Sequence, residues 1–273
     1  MKTRAKKEWF DDDAFWIGLY PVIFSEQRFS EAADQADKLL KLANPQGRKV
    51  LDLCCGPGRF SIPLASKGFE VTGVDRTAFL LKKARARARK ARVKIEWVQQ
   101  DMRDFSRPGA FDMVVNMYTS FGYFDDRQHD LDVLRHTFTN LKPGGIFLID
   151  VFGKERVARV FQPTAAESFE DGTMLVKRHE IFDDWTRIRN EYIVIRNGQA
   201  KTFSFHHTIY SGQELRDRLQ LAGFRDVRLY GNLDGDDYGL RAERLIAAAR
   251  KPATAAPRRR GGRTSKTPQG GRL

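Results

Sequence analysis

The sequence predicts an α/β protein: a mostly parallel, seven-stranded, Rossmann-like sheet with helices on both faces, carrying a three-stranded antiparallel insertion after the fifth strand. Three observations carry this. Within residues 48–250, short apolar runs alternate with stretches of helical period, the pattern of βαβ units around a parallel sheet. The first run empties into Asp52-Leu53-Cys54-Cys55-Gly56-Pro57-Gly58, a glycine-rich turn ahead of a helical stretch. From about 167 to 210 the alternation stops, and strand-like runs follow one another with no helix between them.

The runs Lys49–Leu53, Glu70–Val74, Lys94–Val98, Asp112–Asn116 and Gly145–Val151 read as the first five strands. Helical stretches lie near 30–43, 59–67, 77–92 and 126–141. Asp125, three residues before Gln128, marks a helix start, and Pro143-Gly144-Gly145 a stop. Residues 174–182, 187–196 and 201–210 read as the inserted meander, with turns at Asn197-Gly198 and at 183–186. Ser211 and Glu214 form a capping box for a helix ending near Gly223. Two strands, near 225–230 and 243–249, close the sheet.

Two hundred seventy-three residues suffice for one large domain with its own core. No apolar run approaches the length of a membrane helix, and the N-terminus has no signal-peptide core. Cys54 and Cys55 are neighbours and poorly placed to staple a fold, so a reducing, cytoplasmic setting is expected. The net charge of +13 is local. Eight basic residues and no acid fall in 81–94, and seven more in 251–273; without them the chain would be slightly acidic. Arg85, Arg89 and Arg92 are expected on one helix face. The sequence therefore divides into a cap segment (1–29), a catalytic domain (30–251) and a basic tail (252–273) too poor in apolar residues to order.

In an open α/β sheet the turn at Gly56 and Gly58 lies at the carboxyl end of a strand, where ligands bind against free helix N–H groups. Seventeen residues after Gly58, the second strand ends in Asp75, a carboxylate suited to both hydroxyls of a ribose. The dinucleotide fingerprint wants a third glycine, where Ser61 stands here after the bulky Arg59 and Phe60. No Gly-Lys-Ser/Thr follows, which excludes a Walker-type phosphate loop. The third strand leads to Asp101-Met102, an acceptor for an exocyclic amine beside a thioether for a ring face. The fourth empties into Asn116-Met117-Tyr118-Thr119-Ser120-Phe121-Gly122-Tyr123-Phe124, a polar and aromatic cluster expected to form a pocket wall.

Taken in order, VLDLCCGPGRF, VTGVD, QQDMRDF, FDMVVNMYTSFGYF and LKPGGIFLIDVF make residues 48–152 resemble the class I S-adenosylmethionine-dependent methyltransferases. The first glycine of that family's turn is replaced by Cys54. The resemblance implies S-adenosyl-L-methionine as cofactor. Carried over by position, Asp52, Cys54, Gly56 and Gly58 hold its methionyl part, Asp75 and Arg76 its ribose side, and Asp101 and Met102 its adenine. Asn116 and Tyr118 line the site near the amino acid, and Tyr20 and Arg28 close over it. No metal is implied.

The inserted meander makes the chain similar to small-molecule N- and O-methyltransferases whose sheet folds over the site as a lid; a packing or dimerisation insert is the other reading. On this lid His207, on the face of Phe203, Phe205 and Ile209, is a candidate base, with a purely structural histidine the alternative. Tyr123 is a candidate for orienting the acceptor. The expected acceptor is a small molecule, and the protein a monomer or homodimer with no membrane partner. Two competing readings remain: an RNA or ribosomal methyltransferase using the basic helix and tail, and a nucleotide-cofactor protein or oxidoreductase without methyl transfer.

Overall fold

The computed structural model describes residues 8–253. A seven-stranded sheet contains β1 (Lys49–Leu53), β2 (Glu70–Asp75), β3 (Glu96–Gln99), β4 (Phe111–Asn116), β5 (Leu141–Val151), β10 (Arg225–Tyr230) and β11 (Leu245–Arg250). Its order is β10-β11-β5-β4-β1-β2-β3, and only β11 runs antiparallel to its neighbours. The order reverses between β1 and β4, the switch point at which open α/β sheets bind ligands.

Both faces are covered, which explains the near-continuous apolar runs. One face packs on α6 (Arg127–Asn140) and α8 (Gly212–Leu221) through Leu131, Leu134, Leu215 and Leu219. The other packs on α3 (Ala32–Ala43) and α4 (Ser61–Ser66) through Ala36, Leu39, Phe60 and Leu64. α5 (Ala78–Ala91) buries Leu80, Leu81, Ala84 and Ala88 and turns its lysines and arginines outward. Arg92 lies past its end in a left-handed cap (φ 57°), so it does not continue the face of Arg85 and Arg89 as expected.

Three local expectations are corrected. Helix α6 is capped by Asp126, which accepts from the Gln128 amide at 2.8 Å; Asp125 instead meets His206 of the insertion at 2.7 Å. Pro143-Gly144-Gly145 does not end an element. It lies inside β5, where the register on β4 shifts, and Gly144 takes a positive φ of 79° there. The insertion is a four-stranded sheet of its own: β6 (Thr164–Ser168), β7 (Met174–Phe182), β8 (Arg187–Arg196) and β9 (Gln199–Thr208), after α7 (Lys154–Val160). β6 is an edge strand with almost every residue exposed, so it carries no alternation to read. Asn197-Gly198 makes the expected tight hairpin with both φ angles positive (50° and 73°).

The segment before α3 is helical as well: a 3-10 turn at Trp9–Asp11, α1 (Asp13–Ile23) and α2 (Glu26–Ser30). Phe15, Leu19 and Val22 of α1 pack on Leu175, Tyr192, Val194, Phe203 and Phe205 of the inserted sheet. The fit is close: a side chain at Gly18 would collide with the Phe203 ring. The basic tail falls on residues 252–273, of which 254–273 lie outside the described residues.

The chain re-enters the domain from the insertion at Tyr210, whose hydroxyl donates to buried Asp130 of α6 at 2.5 Å. Burial raises the Asp130 carboxyl to about 6, against the Tyr210 hydrogen bond that lowers it. The folded protein thus keeps a proton that the unfolded chain releases, so this stabilisation is full below the ordinary carboxylate range and is lost as pH rises through about 6. Urea unfolding from pH 4 to 8 is expected to show wild type losing about 3 kcal/mol relative to Asp130→Asn as pH rises, with the change complete by pH 7. A gap independent of pH would contradict the assignment.

Candidate active site

The site begins where β1 ends. Cys54 adopts a left-handed backbone (φ 61°), a conformation that costs a side-chain-bearing residue roughly 1–2 kcal/mol. The glycine expected at that place would adopt it freely. Cys54 gains a contact in return, its thiol lying 3.4 Å from Met102 Sδ. Burial, with Asp75 nearby, pushes both the Cys54 and Cys55 thiols up, so both stay protonated. Gly56 (φ 52°) lies on the cavity and its amide donates to Asp75 Oδ2 at 2.9 Å. The Thr77 amide donates to Asp75 Oδ1 at 2.8 Å. Asp75 therefore clamps the turn after β1 to the end of β2.

Gly58 has a different part from the one its position implied. It does not line the cavity; a Cβ there would stand 3.0 Å from the Trp97 ring, so it makes room for packing against β3. Ser61 occupies the place of a third glycine. It is fully buried, and its hydroxyl donates to Asp52 at 2.5 Å, while burial raises the Asp52 carboxyl to about 6.

At the end of β4, buried Asn116 donates to the Leu53 carbonyl at 3.1 Å. It braces β1 and sits behind the turn, beneath the cavity wall it was expected to line. Tyr118 and Thr119 then take consecutive left-handed conformations (φ 58° and 59°), the kind of strain found at functional loops. Asp150 of β5 holds them: its carboxylate accepts from the Tyr118 amide at 3.1 Å and its carbonyl from Thr119 at 2.8 Å. Arg244, just before β11, pairs with Asp150 at 2.6 Å and donates to Thr119 Oγ1 at 2.9 Å. Arg59 lies 3.6 Å above the Tyr118 ring. Neither arginine was anticipated as a site residue. Arg244 is far from every motif in sequence, and only the antiparallel pairing of β11 with β5 brings it in.

On the far side of the turn Asp101 is heavily engaged. Arg103 donates to both its oxygens through backbone and side chain, and Arg76 lies 3.0 Å from Oδ2. Burial opposes the charge, but these arginines outweigh it and hold the Asp101 carboxylate below its ordinary range. Arg76 also pairs with Glu8 and Asp11, which fastens the N-terminal segment over this end. Arg28 lines the cavity and donates to the Ile23 carbonyl at 2.6 Å. Tyr20 does not line it: its ring packs on Phe24 and Phe79 under Lys83, because α1 turns that face toward α5.

One cavity of about 810 Å³ joins these parts to the inserted sheet, whose His179, Asn190, Tyr192, Phe205 and His207 form the opposite wall. This volume sits in the upper part of the range for ligand sites. Tyr123 lines it with its ring 5.2 Å from that of His207, and burial pushes its phenol up. Asn190 links two histidines: its Oδ1 lies 2.8 Å from His179 Nδ1 and its Nδ2 lies 3.4 Å from His207 Nδ1. Burial lowers the His207 pKa to about 4, so the ring is neutral near pH 7. Among the described residues no group of three or more His, Cys, Asp or Glu is placed to hold a metal, and no helix is long and apolar enough to cross a membrane.

The turn fits the methionyl and ribose portions of S-adenosylmethionine: a buried carboxylate at Asp75, the glycine backbone of Gly56 on the cavity, and a cavity large enough for cofactor and acceptor together. Comparison with known proteins agrees. A methyltransferase domain family matches residues 50–145. The methyltransferase-family protein YqeM of Bacillus subtilis (strain 168) is 30% identical over 240 residues, 86% of this chain and 97% of its own. A dTDP-3-amino-3,4,6-trideoxy-alpha-D-glucopyranose N,N-dimethyltransferase of Streptomyces venezuelae is 26% identical over 197 residues, 72% of this chain and 73% of that one. The fold matches that of CalS10, an amino pentose methyltransferase from Micromonospora echinaspora solved with S-adenosylmethionine bound, at a TM-score of 0.65 and 21% identity, over 85% of this chain and 96% of that one. The chain belongs to the S-adenosylmethionine-dependent class I methyltransferases.

Proposed function

We propose that this enzyme methylates a nitrogen or oxygen of a small-molecule acceptor held between the parallel sheet and the inserted lid. The observation that carries this reading is the single cavity bounded on one side by the β1, β2 and β4 ends and on the other by the lid. The basic residues of α5 line no part of it, so an RNA held on that helix would still have to thread its target atom beneath the lid. That the Streptomyces venezuelae relative is named for an amino sugar supports a small acceptor.

Bound S-adenosylmethionine supplies a methyl group already activated on a sulfonium. The protein's task is to align the acceptor with it, an effect worth roughly 7–11 kcal/mol when reacting atoms are well oriented. Asp75, buried and already fixed by two amides, is preorganised to accept the ribose hydroxyls. Gly56 and the flanking Cys54 and Cys55 present the turn to the cavity, where the methionyl chain would lie. Adenine recognition at Asp101 and Met102 asks Arg76 to give way, and Glu8 and Asp11 are the partners it turns to. Arg244 and Asp150 hold the Tyr118–Thr119 corner rigid beside the reacting centre. His207, neutral and on the cavity wall, offers a ring nitrogen to position the acceptor heteroatom, and the aromatic wall of Tyr123, Tyr192 and Phe205 excludes water.

Three outcomes are expected. Tritiated methyl from S-adenosylmethionine, offered to the RNA, protein and small-molecule fractions of a cell extract, enters the small-molecule fraction; label in RNA, weakened steeply by salt, would overturn the acceptor class. Asp75→Asn weakens S-adenosylmethionine binding at least about tenfold by calorimetry, since charge-assisted hydrogen bonds are lost; unchanged affinity would remove Asp75 from the site. The pH profile of kcat lacks an inflection near 6.5 from His207, because its ring stays neutral down to about pH 4. An inflection near 6.5 that disappears in His207→Gln would make it a titrating base.

A further inference from the structure

Arg156 of α7 lines the cavity on its lid side. Its guanidinium lies 4.7 Å from the Phe152 ring centroid, and that of Arg244 lies 4.1 Å from the same centroid. The two side chains thus share one ring, and Arg159 adds a third positive charge close by. The carboxylates near this cluster have other partners. Asp150 serves Arg244 and the Tyr118 amide, while Glu155 accepts from Tyr238 and the Gly212 amide. Arg159 is satisfied by the carbonyls of Leu240 and Ala242. Glu243 is exposed and makes the smallest of the electrostatic contributions at Arg156.

Arg156 itself makes no hydrogen bond or ion pair with any described residue, and its one contact of this kind is the face of Phe152. Burial, together with the Arg244 and Arg159 charges, lowers its pKa, so the protein spends stability to keep this cation at the wall. Elsewhere on the lid side, Lys177 is neutralised by Glu167 at 2.7 Å. A partly buried, unpaired guanidinium with five donors and a charged neighbour is a receptor for a planar or tetrahedral oxyanion.

We propose that Arg156, supported by Arg244, forms an anion subsite in the acceptor half of the cavity, and that the methyl acceptor carries a carboxylate or a phosphoryl group which this subsite holds. The inference rests on the small-molecule reading and sharpens it to an acidic acceptor. Binding the anion at Arg156 fixes one end of the acceptor at the wall shared with Phe152 and leaves its nucleophilic atom to lie toward Tyr118 and the turn at Gly56.

The test is calorimetry on the full chain saturated with S-adenosylhomocysteine, at constant ionic strength, with inorganic pyrophosphate in one arm and malonate in the other. Wild type is expected to bind one of the two, and which one binds tells a phosphoryl from a carboxylate acceptor. Arg156→Gln weakens that binding about tenfold or more, as loss of a charge-assisted pair requires, while Arg156→Lys recovers part of it. The affinity of both variants for S-adenosylhomocysteine stays within about twofold of wild type, and equal melting temperatures exclude misfolding. If wild type binds neither probe, or if Arg156→Gln binds as wild type does, the anion subsite is overturned. Failure of S-adenosylhomocysteine itself to bind wild type would instead overturn the cofactor assignment, a separate result.

Discussion

The carboxylate of Asp75 is the interaction on which the site depends. Its two oxygens accept from Gly56, in the turn after β1, and from Thr77, at the head of α5. Through it two consecutive βα turns become one rigid surface at the switch point of the sheet. Burial works against that charge and raises its pKa, and the amides that accept the cost are the groups that shape the cradle. Without Asp75, both amides would lose their partner in a buried place, and the left-handed conformations of Cys54 and Gly56 would lose their anchor.

A second clamp faces the first across the cavity. Asp150 and Arg244 secure Tyr118 and Thr119 in two successive left-handed conformations, a corner that a loop alone would not hold. The wall formed by the inserted sheet is built differently. The lid is a sheet in its own right, backed by α1 through Phe15, Leu19 and Val22, and fastened to the domain at Asp125–His206 and Asp130–Tyr210. It is therefore a fixed wall lined with aromatic rings and a histidine–asparagine–histidine chain. The N-terminal segment closes the remaining side, held by half-buried ion pairs of Glu8 and Asp11 with Arg76 and by Phe10 in the core.

Much of this was legible from the residues. The mostly parallel sheet with helices on both faces follows from the βαβ alternation, and strand β1 lies where its apolar run predicts. The turn, Asp75 and Asp101-Met102 stood out because cofactor chemistry imposes residue types at local spacing, and the fold brings them to one cavity. What escaped has physical reasons. Helix α1 buries Phe15, Leu19 and Val22 against the lid but exposes Ile17, so its apolar residues mark no single face. Strand β6 exposes most of its residues and shows no alternation. Gly58 looks like a ligand contact in sequence, yet the space it leaves is filled by Trp97 from a different strand. Arg244 and Arg156 stand outside every motif, and only β11 folding back beside β5 brings the first to the second. Asp101 was read as a free acceptor, whereas the fold surrounds it with Arg76 and Arg103. Tertiary neighbours, not local pattern, decide each of these.

The central claim is that the turn clamped by Asp75 receives S-adenosylmethionine and not a dinucleotide. Calorimetric titration of the full chain with S-adenosylmethionine and, separately, with NADH and NADPH tests it most directly. The account predicts one-to-one binding of S-adenosylmethionine and no heat from either dinucleotide, because Ser61 closes against Asp52 where a third glycine would admit a pyrophosphate. Binding of a dinucleotide with no response to S-adenosylmethionine would contradict it.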